Sequence, residues 1–123
     1  MGKTSIMKII QQDVKGKSAF FDLENPKRLE LLNSNFEIFI EYLKIAYAWT
    51  ETEDIVIFID EIQYLNHPTS FLKYLYDHYE HIKFIVSGSS TLDIRGKLKD
   101  SLVGRLIKFE IFPLSFEEFL IFK

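Results

Sequence analysis

Ile55-Val56-Ile57-Phe58-Ile59-Asp60-Glu61 sets an unbroken apolar run directly against two carboxylates. Five apolar residues without alternation predict a strand buried on both faces, as in the centre of a parallel sheet. Such strands deliver their last residues to the carboxyl edge, where open α/β sheets bind their ligands. A strand emerging into solvent explains one acid after its end; it does not explain why the most apolar run leads straight into two. Acids so placed can set one carboxylate near a bound Mg²⁺ while the neighbour orients and deprotonates an attacking water.

Gly2-Lys3-Thr4, at the start of the chain, reads as the other half of the same site. A phosphate-binding loop has the form G-x-x-x-x-G-K-[ST]: its backbone N–H groups wrap the phosphates, the Lys reaches the β/γ oxygens and the Ser/Thr hydroxyl meets Mg²⁺. Here only the G-K-T end is present, and Met1 stands where the residue before the second glycine belongs. The first glycine, the rest of the loop and the strand feeding it are therefore expected upstream of residue 1. Taken singly, the tripeptide also fits any exposed turn before a helix. The candidate phosphate-binding residues are Gly2, Lys3, Thr4 and Ser5, with Thr4 and Asp60 as the candidate metal-side residues.

Between and beyond these signals, helix and strand patterns alternate, which predicts a parallel sheet flanked by helices. Thr4 to Gln12 carries Ile6, Met7, Ile9 and Ile10 at helical spacing, and Lys17 to Leu23 reads as a strand. Asn25 can cap a helix with Pro26 in its first turn. Asn33-Ser34-Asn35 interrupts that helix before a stripe of Phe36, Ile40, Leu43 and Tyr47 running to about Trp49. After Asn66-His67-Pro68, residues Phe71, Leu72, Leu75, Tyr76 and Tyr79 share a helical face, with Tyr74 as the exposed member of that aromatic group. Ile82 to Val86 is a further apolar strand, ending in Ser87-Gly88-Ser89-Ser90. A weakly patterned helical stretch leads to Gly104-Arg105, and Leu106 to Phe112 alternates as a last strand stopped by Pro113. Ser115 with Glu118 forms a capping box that predicts a final helix to Lys123.

Two polar features fall where chemistry is expected. Ser87 and Ser89 close the strand that follows in the chain, where a side chain could touch the γ-phosphate or the lytic water; serines around a glycine are also ordinary turn residues. Arg105 follows Gly104, in the order expected of an arginine that reaches a neighbouring subunit's nucleotide, and equally that of a surface arginine starting a strand.

Composition narrows the class further. With 123 residues, 47% hydrophobic and 15% aromatic, the chain has apolar material for one core, hence one domain spanning 1–123. Fifteen basic against 18 acidic residues give a net charge of -3, so nothing calls for a nucleic-acid or anionic-membrane surface. The cations between Arg95 and Lys108 have Asp100 among them and Asp93 and Glu110 beside them, as on a solvated helix face. Zero cysteines exclude disulfides and fit a reducing compartment. No uncharged apolar run nears the ~20 residues of a membrane span, and the N-terminus has no signal-type apolar region, so a cytoplasmic, soluble chain is expected. His67, His78 and His81 have no convergent ligand set around them.

In their order, these segments make the chain resemble the AAA+ ATPases, and in particular a prokaryotic branch of predicted ATPases that usually carries a further C-terminal domain of poorly known function. GKTSIMK, FFDLENP, IVIFIDEIQYL, FLKYLYDHY, IKFIVSGSS, SLVGR and FPLSFEEFL all look like segments of that branch. The resemblance implies ATP and Mg²⁺ as ligands and Mg-dependent ATP hydrolysis as the motor or switch of a larger protein. It implies that Lys3 and Thr4 hold phosphate and Mg²⁺, that Asp60 supports the metal, and that Glu61 is the catalytic base. Ser87 or Ser89 becomes the sensor residue, and Arg105 the trans-acting arginine.

The same resemblance implies what this chain lacks. The family's first strand normally lies inside the sheet, between the strand ending at Ser87 and the one starting near Arg105; its loss forfeits on the order of 7–15 kcal/mol of apolar burial. The expectation is an incomplete AAA+ domain, also without the helical lid, with two open strand edges in mid-sheet, self-association through these edges or the nucleotide face, and weak ATP affinity. The competing expectation is a degenerate, non-catalytic piece that acts only by protein–protein association.

Overall fold

In a computed structural model of the chain, residues 2–89, 106–111 and 117–122 are described, with side chains over residues 7–88. Helix α1 (Gly2–Gln12) precedes β1 (Lys17–Asp22), α2 (Pro26–Asn33), α3 (Phe36–Tyr47) and β2 (Ile55–Asp60). A single 3-10 turn (Ile62–Tyr64), α4 (Pro68–His78) and β3 (Ile82–Ser89) follow, and β4 (Leu106–Ile111) and β5 (Glu117–Phe122) complete the sheet.

Local chemistry sets the helix ends. The Asn25 side chain accepts from Lys27 N with Pro26 in the first turn, and the Asn35 side chain accepts from Ile38 N. Both satisfy amides that a helix start leaves without an intrahelical partner. α3 stops at Ala48, a left-handed residue (φ 52°), one position before the expected end near Trp49.

β1, β2 and β3 are parallel neighbours, Ala19 pairing Ile57 and Ile57 pairing Phe84. Alternation then divides the sheet into two faces. Ile55, Ile57 and Ile59 join Ala19, Phe21, Phe84 and Val86 in a core with α2, α3 and α4. Phe21, Phe39, Phe71 and Phe84 form a chain of tilted and edge contacts 5.3–6.4 Å between centroids. Phe58 faces the other way, onto Met7 of α1, with Phe20, Val56 and Ile85 beside it. On α1 the apolar stripe is narrower than predicted: Met7 is buried, but Ile9 is 59% exposed.

The predicted C-terminal helix is a strand. β5 lies between β3 and β4 and is antiparallel to both, giving the order β1-β2-β3-β5-β4. The sheet is therefore mixed rather than all parallel, and the expected mid-sheet gap holds the chain's own Glu117–Phe122. Phe119-Leu120-Ile121-Phe122 is a short apolar run, which periodicity cannot divide between strand and helix. Six residues make less than two helical turns, whose nucleation is costly, whereas a slot between two strands offers every backbone group a partner. The helical stretch expected before Gly104 and the Ser115 cap lie outside the described residues.

Candidate functional site

β2 ends in a buried acid. Asp60 shares the Phe58 face by alternation, and it is 1% exposed. On the neighbouring strand Ser87, also buried, donates its Oγ–H to Asp60 Oδ1 at 2.7 Å. On the other side Asp22 stands in register with Asp60, its carboxyl accepting from Glu24 N at 3.0 Å.

Helix α1 brings its first turn to the same edge. Gln11 Nε2 donates to Ser18 Oγ at 3.1 Å, near the start of the sheet, while Met7 packs on Phe58 further along. The helix thus runs antiparallel to the strands. Three residues back from Met7 to Thr4 cover about 4.5 Å of helix axis, and two onward from Phe58 to Asp60 cover about 6.6 Å of strand. The backbone of Gly2, Lys3, Thr4 and Ser5, the first turn of α1, is consequently level with the end of β2. Amides at a helix start aim their partial positive charge outward, toward whatever lies beyond that edge.

Glu61 interrupts the strand. Its backbone is left-handed (φ 63°, ψ 50°), and from there the chain turns through residues 62–64, with Tyr64 N donating to Glu61 O at 3.1 Å. A non-glycine residue in this region costs about 1–2 kcal/mol. Ile62 is buried beneath the turn, and Gln63 Nε2 donates to Glu61 Oε1. Sequence reasoning missed Gln63; its spacing of two from an acid that ends a strand is the signal that could have found it.

The structure joins Asp60 to Ser87 by a hydrogen bond and sets Glu61 immediately after them. Ser89 closes β3 two residues later, so the serines end a strand rather than a free turn. Ser90, Gly104 and Arg105 lie outside the described residues. Among the described residues no cluster of three or more His, Cys, Asp or Glu could hold a metal. His81 instead bonds Asp54 at 2.8 Å, and His78 stacks on Tyr74, itself 38% exposed. A cleft of about 460 Å³ between the α2–α3 corner and the start of α4, lined by Asn33, Phe36, His67 and Ser70, includes neither Asp60, Glu61 nor Ser87.

Three parallel strands flanked by helices, with a buried acid at the carboxyl edge, fit the P-loop-like class of α/β proteins. A model of the AAA domain family matches residues 1–120, and the chain belongs to that family, whose members are of nucleotide-binding ATPase type. The uncharacterized protein MJ1544 of Methanocaldococcus jannaschii is 34% identical over 123 residues, covering 99% of this chain and 26% of that protein. The uncharacterized protein MJ1637 of the same organism is 40% identical over 68 residues, 55% of this chain and 14% of that protein. The chain thus spans well under a third of either curated relative. No solved structure matches it. Among the described residues no helix is long and apolar enough to cross a membrane.

Proposed function

We propose that this domain binds Mg-ATP at the carboxyl edge of β2 and hydrolyses it. The observation that carries the reading is the buried Asp60–Ser87 pair at the end of β2, followed at once by Glu61. A buried, hydrogen-bonded carboxylate is an oxygen donor held in one orientation, which suits Mg²⁺; that ion is commonly held by one or two protein oxygens together with substrate phosphates. Asp60 and Thr4 are the residues to hold it, and when bound it neutralises charge on the phosphate oxygens.

The remaining roles belong to the chain's own groups. Lys3 and the first amides of α1, from Gly2 to Ser5, bind phosphate. Glu61 accepts a proton from water as the water oxygen bonds to the γ-phosphorus, the bond from that phosphorus to the β–γ bridging oxygen breaks, and ADP leaves with the electron pair. Ser87 fixes Asp60, and either Ser87 or Ser89 senses the γ-phosphate. Arg105 is assigned to a neighbouring subunit's nucleotide, in a longer cytoplasmic protein whose movement hydrolysis drives. The alternative reading is a non-catalytic piece acting only by protein–protein association; the position of β5 between β3 and β4 speaks against association through open edges in mid-sheet.

Calorimetric titration and a phosphate-release assay test this. Glu61→Gln should keep Mg-ATP binding and lower turnover by ~10²-fold or more, the ordinary worth of a general base. Failure of the wild-type chain to bind Mg-ATP at millimolar concentration, or wild-type turnover in Glu61→Gln, would refute the proposal.

A further inference from the structure

We infer that Gln63 is a positioning residue for Glu61, and that Gly88 is the seat on which Gln63 rests. This deepens the hydrolysis reading and depends on it. Two observations meet at these residues. Gln63 Nε2 donates to Glu61 Oε1 from a half-buried position on the 3-10 turn. A Cβ on Gly88 of β3 would lie 2.8 Å from Gln63 Oε1 and 2.9 Å from Ile62 Cγ2, too close for either. Gly88 has no unusual dihedral to accommodate; the turn's approach to the strand is what requires it.

The arrangement fixes one carboxylate from both ends. Glu61's backbone is left-handed, so its side chain leaves along a path that strand alternation does not set. Flexible glutamate has three rotatable bonds, and the amide of Gln63 selects among their orientations by holding one carboxyl oxygen. Gln63 is itself confined, its Oε1 occupying space that a side chain at position 88 would need, and its neighbour Ile62 is anchored in the core. The next residue after Gly88's predecessor Ser87 is thus tied to the same acidic pair: Ser87 holds Asp60, and Gly88 makes room for the residue that holds Glu61. β3 therefore serves the site through consecutive positions, one by a hydroxyl and one by the lack of a side chain. A general base that must face a bound water gains rate from this restriction, because misorientation is removed before the reaction begins.

Gln63→Met, which keeps length but removes the donor, is the direct test, with turnover at saturating Mg-ATP, calorimetric Kd and thermal midpoint measured together. Turnover should fall about ten- to a hundredfold, the worth of one charge-assisted hydrogen bond, while Kd stays within about twofold. In a Glu61→Gln background the same substitution should cause no further loss, since Gln63 acts through Glu61. Gly88→Ala should also lower turnover with Gln63 intact. Turnover within about twofold of wild type in Gln63→Met, a parallel rise in Kd, or an undiminished loss in the Glu61→Gln background each overturn the inference. If Glu61→Gln alone retains full turnover, or wild type has none, the hydrolysis reading fails and this inference with it.

Discussion

Replacing Ser87 by alanine should destabilise the domain by about 1.5–3 kcal/mol, the range for a lost hydrogen bond to a carboxylate. The bond is short, 2.7 Å from Ser87 Oγ to Asp60 Oδ1, and both residues are 1% exposed, so water does not replace the hydroxyl. With an unfolding entropy of roughly 2.1 cal/mol/K per residue, 123 residues give about 0.26 kcal/mol/K, and the midpoint should fall by about 6–12 °C. Trp49, the single tryptophan, is 2% exposed and reports unfolding by its fluorescence. Ser34→Ala is the control: that hydroxyl bonds Leu31 O at an exposed helix end and should matter by less than about 0.5 kcal/mol. Combined with Asp60→Asn, Ser87→Ala should be non-additive, because each substitution alters the same bond. A Ser87→Ala midpoint within about 2 °C of wild type, or strict additivity with Asp60→Asn, would refute the reasoning.

Trp49→Phe removes both buried volume and the bond from Nε1 to Glu53 O (2.7 Å), and should cost about 2–3 kcal/mol by urea denaturation followed by circular dichroism. Hydrogen bonding from His81, then the charge of Lys83, holds the Asp54 carboxyl below its ordinary 3.8. A depressed carboxyl stabilises the fold fully above its unfolded value and loses that contribution as pH falls through the lower folded one. Wild type should accordingly lose more stability than Asp54→Asn between roughly pH 5 and pH 3, and equal pH slopes would contradict the assignment. The strand at Glu117–Phe122 should give extended carbon chemical shifts and cross-strand contacts from Leu120 to Val86 and Phe109; helical shifts there would restore the capping-box expectation.

Most of the fold is legible wherever local pattern and tertiary demand coincide. The unbroken run at Ile55–Ile59 reads as a central strand because both of its faces are covered, by α1 on one side and by α2, α3 and α4 on the other. Asn25-Pro26 and Asn35 mark helix starts because their side chains satisfy amides within the same few residues. Glu117–Phe122 is misread because its state is decided by β3 and β4, partners distant in sequence that a capping box cannot sense. Order along the chain brings out that both strands end in polar residues, but the Asp60–Ser87 bond itself comes from β2 and β3 lying side by side in register, which the sequence does not state. Gly88's role escapes notice because it comes from a close approach between a turn and a strand, which neither composition nor period encodes, whereas for Gln63 only its spacing of two from Glu61 offers a signal.

Two adjacent acids cannot both reach one side of a sheet by regular strand geometry. Asp60 follows Phe58 onto the α1 face, so an extended Glu61 would follow Ile59 into the apolar core with α3 and α4. The left-handed turn at Glu61 avoids burying that charge, at a conformational cost of about 1–2 kcal/mol for any residue with a Cβ. Glycine has no such penalty in this region, though it gives back about 0.5–1 kcal/mol through the freedom of its unfolded chain. Glu61→Gly should thus be more stable than Glu61→Ala by roughly 1 kcal/mol in urea, with both variants lacking the base and both lacking the bond to Gln63. The reverse order would mean that residue 61 is not left-handed in solution, and the turn that keeps the two carboxylates at one edge would lose its physical basis.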